Sequence, residues 1–239
     1  RDPEMSRGLG DVYKRQVYGW INYRGTYYYT DNTIGKYTGE QYIDSRPYRF
    51  DSSGAIKTGL QSFDNGKACF YYNDGTWAAD KMITVEKDVY YFNADGYMAT
   101  GWQTVSNNKY YFNSDGKMVT GFQAINGSTY YFGKDGAMVT GLAEIGDYRY
   151  YFGSDGKMKT GWQTINNHKY YFSDNGRMLT GWLKLSTGEY YFATNGTMCT
   201  GFTVIGENTY YFNDDGKKHT GWKTVSYTHL RAHETSQDL

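Results

Sequence analysis

One string returns along this chain every 20 residues: Thr-Gly-aromatic, then Tyr-Tyr-Phe, then a turn ending in Gly, then Met. Thr100-Gly101-Trp102 is followed in phase by Gly121-Phe122, Gly141-Leu142, Gly161-Trp162, Gly181-Trp182, Gly201-Phe202 and Gly221-Trp222. The Tyr-Tyr-Phe triplet keeps step, ending at Phe92, Phe112, Phe132, Phe152, Phe172, Phe192 and Phe212. A fixed period of this size predicts a repeat architecture in which each unit is too small to fold alone and its neighbours supply the core. Such arrays bind repeatedly along their length and seldom do chemistry.

Within residues 101–120, Trp102 to Val105 form one short β-prone run and Lys109 to Phe112 a second, with Asn107-Asn108 as the turn signal. Asn113-Ser114-Asp115-Gly116 closes a second turn, where Gly is free to take a positive φ. No stretch shows a helical period. The fold class is therefore all-β, a solenoid of stacked β-hairpins with one hairpin per 20-residue repeat. Side chains alternate across a strand, so Tyr110 and Phe112 share one face and Lys109 and Tyr111 the other. The Phe face, with Val105, is the expected core; the Tyr111 face is expected to line the groove between successive hairpins. An isolated two-stranded hairpin is marginal in water, so stacking must supply the missing stability.

Residues 17–80 keep the pattern loosely. Trp20 goes with Tyr27-Tyr28-Tyr29, Gly39 with Tyr48-Arg49-Phe50, and Leu60 with Phe70-Tyr71-Tyr72 after an insertion around Asp64-Asn65-Gly66. Residues 81–226 form the regular block, and ten hairpins are counted from Gly19, with a truncated eleventh at Gly221. Residues 1–16 and 227–239 share nothing with the repeat. They resemble adaptor-like read-through and are set aside as non-native segments; the array is then truncated at both ends, and the missing signal peptide carries no meaning.

Composition excludes several function classes. The formal net charge is zero, so nothing favours electrostatic capture of nucleic acid or an anionic membrane. No apolar run approaches the roughly 20 residues of a membrane span. With 28 Tyr and 30 Gly against 2 Pro, the chain is built for strands and tight turns, with amphipathic rings left for a surface. Cys69 and Cys199 lie more than six repeats apart, too far for a disulfide in a linear array. The Asn-Ser-Asp-Gly turns lack the distal Glu of a calcium loop and read as plain turn chemistry. His168 and His219 have no partner at metal or catalytic spacing, and no acidic pair suggests general acid–base work. Neither a cofactor nor an enzymatic activity is expected of this fragment, although a catalytic domain can lie outside it.

With Gly-Trp, Tyr-Tyr-Phe, Asp-Gly and Met in this order, residues 19 to about 226 resemble the bacterial cell-wall-binding repeat family. That family spans choline-binding modules of Gram-positive surface proteins, glucan-binding repeats, and receptor-binding repeats of clostridial toxins. The resemblance implies a secreted or cell-surface module that binds cell-wall polysaccharide, glycan or choline-decorated teichoic acid in shallow pockets between hairpins. It also implies that each pocket uses the Gly-Trp ring, an aromatic of the second strand, one from the next hairpin and a nearby Met. Carried onto this chain, the junctions are Trp102 with Tyr111, Met118 and Tyr131; Trp162 with Tyr171, Met178 and Tyr191; and Trp182 with Tyr191, Met198 and Tyr211. Leu142 and Leu60 replace the ring, so those junctions look degenerate.

Choline-binding repeats read Trp-Tyr-Tyr in the second strand. In the regular block that position holds Lys109, Thr129, Arg149, Lys169, Glu189 or Thr209, which removes a cage wall and in three repeats adds a cation. A ring such as Trp102 can instead stack on a hexose while Gln103, Asn107, Asn108 or Lys109 supply hydrogen bonds. The pattern thus favours glycan over choline, except at Trp182, where Glu189 favours a cationic ligand. A ligand-free structural stalk is the third alternative.

Overall fold

The computed structural model describes residues 18–221, so both end segments and the eleventh repeat beyond Gly221 lie outside the described residues. All regular structure among them is β, in ten small antiparallel sheets, each built on one hairpin. The first carries a third short strand, Gly35–Lys36. This is the hairpin array that the period predicts, ten units included.

In the repeat at 101–120 the strands are Gly101–Val105 and Asn108–Phe112, with Trp102 opposite Tyr111 and Gln103 opposite Tyr110. The turn is Ser106-Asn107, one residue earlier than the Asn107-Asn108 signal suggests. Both turn residues have positive φ, 49° and 67°. That is the two-residue geometry whose twist matches the flanking strands, and Asn tolerates it better than most residues. Asn126-Gly127 and Asn166-Asn167 repeat it.

Two compact units divide the chain: Arg1–Gly121 with Phe132–Met138, and Phe122–Tyr131 with Val139–Leu239. Within each unit one backbone bond per repeat ties neighbours together. Met118 N–H donates to the Val89 carbonyl at 2.8 Å in the first; Met178 N–H donates to Arg149 at 2.7 Å and Met198 N–H to Lys169 at 2.8 Å in the second.

The last residue of each triplet anchors the core. Phe92, Phe112, Phe132, Phe152 and Phe172 are fully buried. Around Phe112 gather Tyr91, Ala99, Val105, Tyr110 and Met118, so the predicted core face is the observed one. In the irregular region Tyr71 takes the Phe position, opposite Gly59, and its hydroxyl donates to the Pro47 carbonyl. Burial pushes the Tyr71 phenol well above its ordinary range, and it also raises the thiol of Cys69. Both cysteines are free.

The methionines fill a slot that recurs along the stack. Met98 lies against the backbone of Gly116, and Met178 against Gly196. The slot holds Trp77 over Gly96, where Arg46 stacks on the indole at 3.6 Å and its Nη1 donates to the Asp95 carbonyl at 2.8 Å. The turn glycines thus serve two demands, a positive φ and room for a side chain from the preceding repeat.

Candidate functional site

Each hairpin presents two unlike faces. On one, the Gly-Trp ring sits across from the second Tyr of the triplet, as Trp162 does from Tyr171 and Trp182 from Tyr191. On the other lie the first Tyr and the Phe. Stacking sets the first face of one hairpin against the second face of the next.

At Trp162 the neighbours are therefore Tyr171 of its own hairpin, at 5.3 Å and 83°, and Tyr190 and Phe192 of the next, at 4.9 and 5.6 Å. At Trp182 they are Tyr191 at 5.1 Å, Tyr210 at 5.0 Å and Phe212 at 5.8 Å. This corrects the expected partners by one residue. The ring that the next hairpin sets beside Trp162 is Tyr190, not Tyr191, and beside Trp182 it is Tyr210, not Tyr211. Alternation is the cause: Tyr191 and Tyr211 face their own Trp182 and Phe202. Trp102 packs on Tyr111 at 5.3 Å and Phe132 at 5.7 Å. Tyr131, the remaining residue expected there, belongs to the second unit and packs on Phe122 at 4.8 Å.

The methionines pack against turn glycines of the following repeat. Met118 joins the core around Phe112 and lies against Gly136; Met178 and Met198 lie against Gly196 and Gly216.

A further junction stands outside the regular block. Trp20 lies 5.2 Å from Tyr29, 4.9 Å from Tyr48 and 6.1 Å from Phe50, the same arrangement as at Trp162. The signal was available as spacing, since Trp20 precedes these tyrosines by 9 and 28 residues, as Trp162 precedes Tyr171 and Tyr190. Irregularity between repeats hid it. Phe122 keeps the same spacing to Tyr131 and Tyr150, at 4.8 and 5.1 Å.

The rings differ sharply in exposure. Trp162 is 38% exposed, whereas Tyr190 is 5% and Phe192 1% exposed. One indole therefore stands at the surface on a floor of buried rings, each edge-on or tilted in the manner aromatic pairs prefer. Beside it runs an open groove of 360 Å³, lined by Trp162, Gln163, Thr164, Lys169, Thr187, Tyr190, Asp215 and Lys217. The Gln163 amide donates to the Thr160 carbonyl at 2.9 Å, Thr187 and Tyr190 share a hydroxyl bond of 3.1 Å, and Lys217 meets Asp215 at 3.1 Å. The Lys217 backbone N–H and ammonium hold the Asp215 carboxyl below its usual range, so this rim presents settled polar groups. Turn residues such as Asp215 and Asn195 also accept backbone N–H groups two residues on, the plain turn chemistry expected of them.

The groove beside Trp182 is different. It measures 250 Å³ and is lined by Trp182, Leu183, Lys184, Glu189, Tyr210 and Lys218. Glu189 is not an empty anionic wall: Lys218 meets it at 3.1 Å and Lys184 at 3.6 Å.

Comparison with known proteins places the chain. The choline-binding repeat profile matches residues 99–141 and 159–200. The cell wall binding repeat profile matches 83–98, 140–158 and 200–218, so the two together run unbroken from 83 to 218, more than half the chain. No curated protein matches the sequence. Among solved structures the chain is similar to CbpJ from Streptococcus pneumoniae TIGR4, at 25% identity and TM-score 0.68 over 88% of this chain and 89% of that one. It is similar to choline binding protein F from Streptococcus pneumoniae, solved in the presence of a peptidoglycan analogue, at 26% identity and TM-score 0.66 over 87% and 88%. The choline-binding domain of CbpL from the same species gives 26% identity and TM-score 0.54 over 88% and 100%. By period, hairpin stacking and these matches, the chain belongs to the choline-binding and cell-wall-binding repeat family.

Proposed function

We propose that this chain is a non-catalytic, multivalent module that holds a secreted or surface protein on a cell-wall polymer. One observation carries the reading: the same junction, an exposed indole over rings from two hairpins, recurs at Trp20, Trp162 and Trp182. Weak single sites repeated along one chain gain avidity of roughly 10²–10⁴-fold when one polymer spans them.

The Trp162 groove suits a glycan. Its indole can stack on the apolar face of a hexose, and Gln163, Thr164, Thr187 and Lys169 stand around the rim to meet hydroxyls. Two lysines face a single carboxylate there, so a cationic ligand is disfavoured. Tyr171 remains part of this junction, as Tyr111 does beside Trp102.

A second reading, choline on a teichoic acid, is favoured at Trp20. There the position equivalent to Lys169 is the aromatic Tyr27, and Trp20 and Tyr27 flank the same backbone at Gly75. Three tyrosines around one indole, with no cation at that position, suit a quaternary ammonium.

Tryptophan emission of the full chain, titrated with choline and then with glucan and galactose-containing oligosaccharides, tests both. Trp162→Ala should remove the oligosaccharide response and Trp20→Ala the choline response. Silence of the parent chain to every ligand would sink the binding reading and leave a stalk.

A further inference from the structure

Lys218 stands where every repeat from Met98 to Met198 carries methionine. Its backbone follows the common pattern: its N–H donates to the Glu189 carbonyl at 2.7 Å, just as Met198 N–H donates to Lys169. The two positions that this bond joins are therefore equivalent at the two junctions. Beside Trp162 they hold Lys169 and Met198; beside Trp182 they hold Glu189 and Lys218. The charge has been moved from one position to the other, and its counter-charge added.

The geometry shows what that exchange does. The Lys218 ammonium lies 5.4 Å from the centre of the Trp182 ring and 5.5 Å from that of Tyr210, both inside the range of a cation–π contact. The two rings are 5.0 Å apart at 78°, forming two walls of a corner. Glu189 supplies the third wall, 3.1 Å from the same nitrogen. Two aromatic faces and a carboxylate converging on one ammonium make a cation site, and its cation is the chain's own.

We propose that Lys218 is the internal occupant of the Trp182 junction, which closes this site to external ligand and makes it, in chemical class, a site for an alkylammonium group. The inference rests on the reading that exposed-indole junctions are ligand sites. It accounts for what Glu189 does there: the carboxylate retains Lys218 rather than recruiting a ligand. Hydrogen bonding to Lys218 also draws the Glu189 carboxyl below its ordinary range, as a retained ion pair requires.

The test uses the assigned indole N–H resonances of the full chain, titrated with choline and with its neutral isostere 3,3-dimethylbutan-1-ol. In the parent chain the Trp182 signal should stay still across the range. In Lys218→Met it should shift saturably, with choline at least tenfold tighter than the isostere, and Glu189→Gln in that background should abolish the preference. Parent and Lys218→Met signals that saturate alike would overturn the proposal, as would equal affinity for the two probes. A direct reading guards against a poorly folded variant: the Lys218 ε-methylene protons of the parent chain should be shifted upfield by the two rings and return on Trp182→Leu. Unshifted protons in the parent would refute the occupancy. The Trp162 signal in the same spectra reports separately on the proposed function, and its silence to every ligand leaves the Lys218 reading to be decided by the methylene shift.

Discussion

Replacing one turn glycine separates two explanations that the sequence merges. Gly116 and Gly101 have almost the same positive φ, 75° and 71°. A Cβ at Gly101 meets nothing within 4 Å, whereas a Cβ at Gly116 falls 2.5 Å from Met98 Sδ, 2.7 Å from Cε and 2.8 Å from Cγ. The left-handed conformation costs an L-residue about 1–2 kcal/mol, and both Ala variants bear that equally. Only Gly116→Ala must also displace a whole side chain from its packing against the cluster of Ala78, Tyr90 and Phe92. Overpacking of this kind costs about 1–3 kcal/mol. Gly116→Ala should therefore destabilise by about 2–5 kcal/mol and Gly101→Ala by about 1–2 kcal/mol. Guanidinium denaturation followed by far-ultraviolet circular dichroism gives the difference, and a Met98→Ala background should reduce it to under about 0.5 kcal/mol, the ordinary additivity limit. Equal losses at the two glycines, or a gap that survives removal of Met98, would refute the view that turn glycines are retained for their neighbour's side chain.

Tyr71→Phe leaves the buried Pro47 carbonyl without its hydroxyl donor and should cost about 1–3 kcal/mol, read from the same denaturation midpoint. Because the Tyr71 phenol is raised on folding, its contribution is full below the unfolded value of about 10 and declines as pH rises above it, so Tyr71→Phe should flatten the alkaline limb of the stability curve. Glu189 has the opposite sign: its folded value is lowered, so the Lys218 contact is intact above about pH 4.3 and is lost as pH falls through that lower value. The upfield shift of the Lys218 ε-methylene protons should collapse in that acid window. Native-state thiol titration should modify Cys199 well before the buried Cys69, and equal rates would show that the core around Tyr71 opens readily.

What could be read from residues alone was whatever repeats. The hairpin and the Phe core face follow from a 20-residue period and strand alternation, and the structure keeps both; the groove beside Trp162, however, is lined by Tyr190 of the core face. The partner ring did not follow. Assigning Tyr191 to Trp162 assumes that successive hairpins meet through like faces, whereas they meet through unlike ones, which brings Tyr190 instead. No single repeat contains that information, because it resides in the stacking. The Trp20 junction is masked in the sequence by irregularity between the first repeats, although its distances of 9 and 28 residues to Tyr29 and Tyr48 are intact. The methionines were legible as a period but not as a place, since their contact is a glycine one repeat further on.

The junctions are consequently alike in scaffold and unlike in chemistry. Buried Phe rings and the tyrosines beside them hold the geometry constant at Trp20, Trp162 and Trp182, while two positions linked by one backbone bond are left to vary. At Trp162 these carry Lys169 and Met198, at Trp182 Glu189 and Lys218. The first of these positions lies outside the Phe core and the second packs at its edge, as Met118 does around Phe112, so a charge there alters what stands beside the indole while the buried Phe keeps its place. Leu142, 46% exposed where the indole would stand, shows the limit of that freedom: with the ring gone, the stack persists and the stacking platform for a ligand does not. On the proposed function, a polymer bound to such an array meets sites of differing selectivity. The number that contribute to avidity is then set by side chains at the variable pair and the indole, not by the count of repeats.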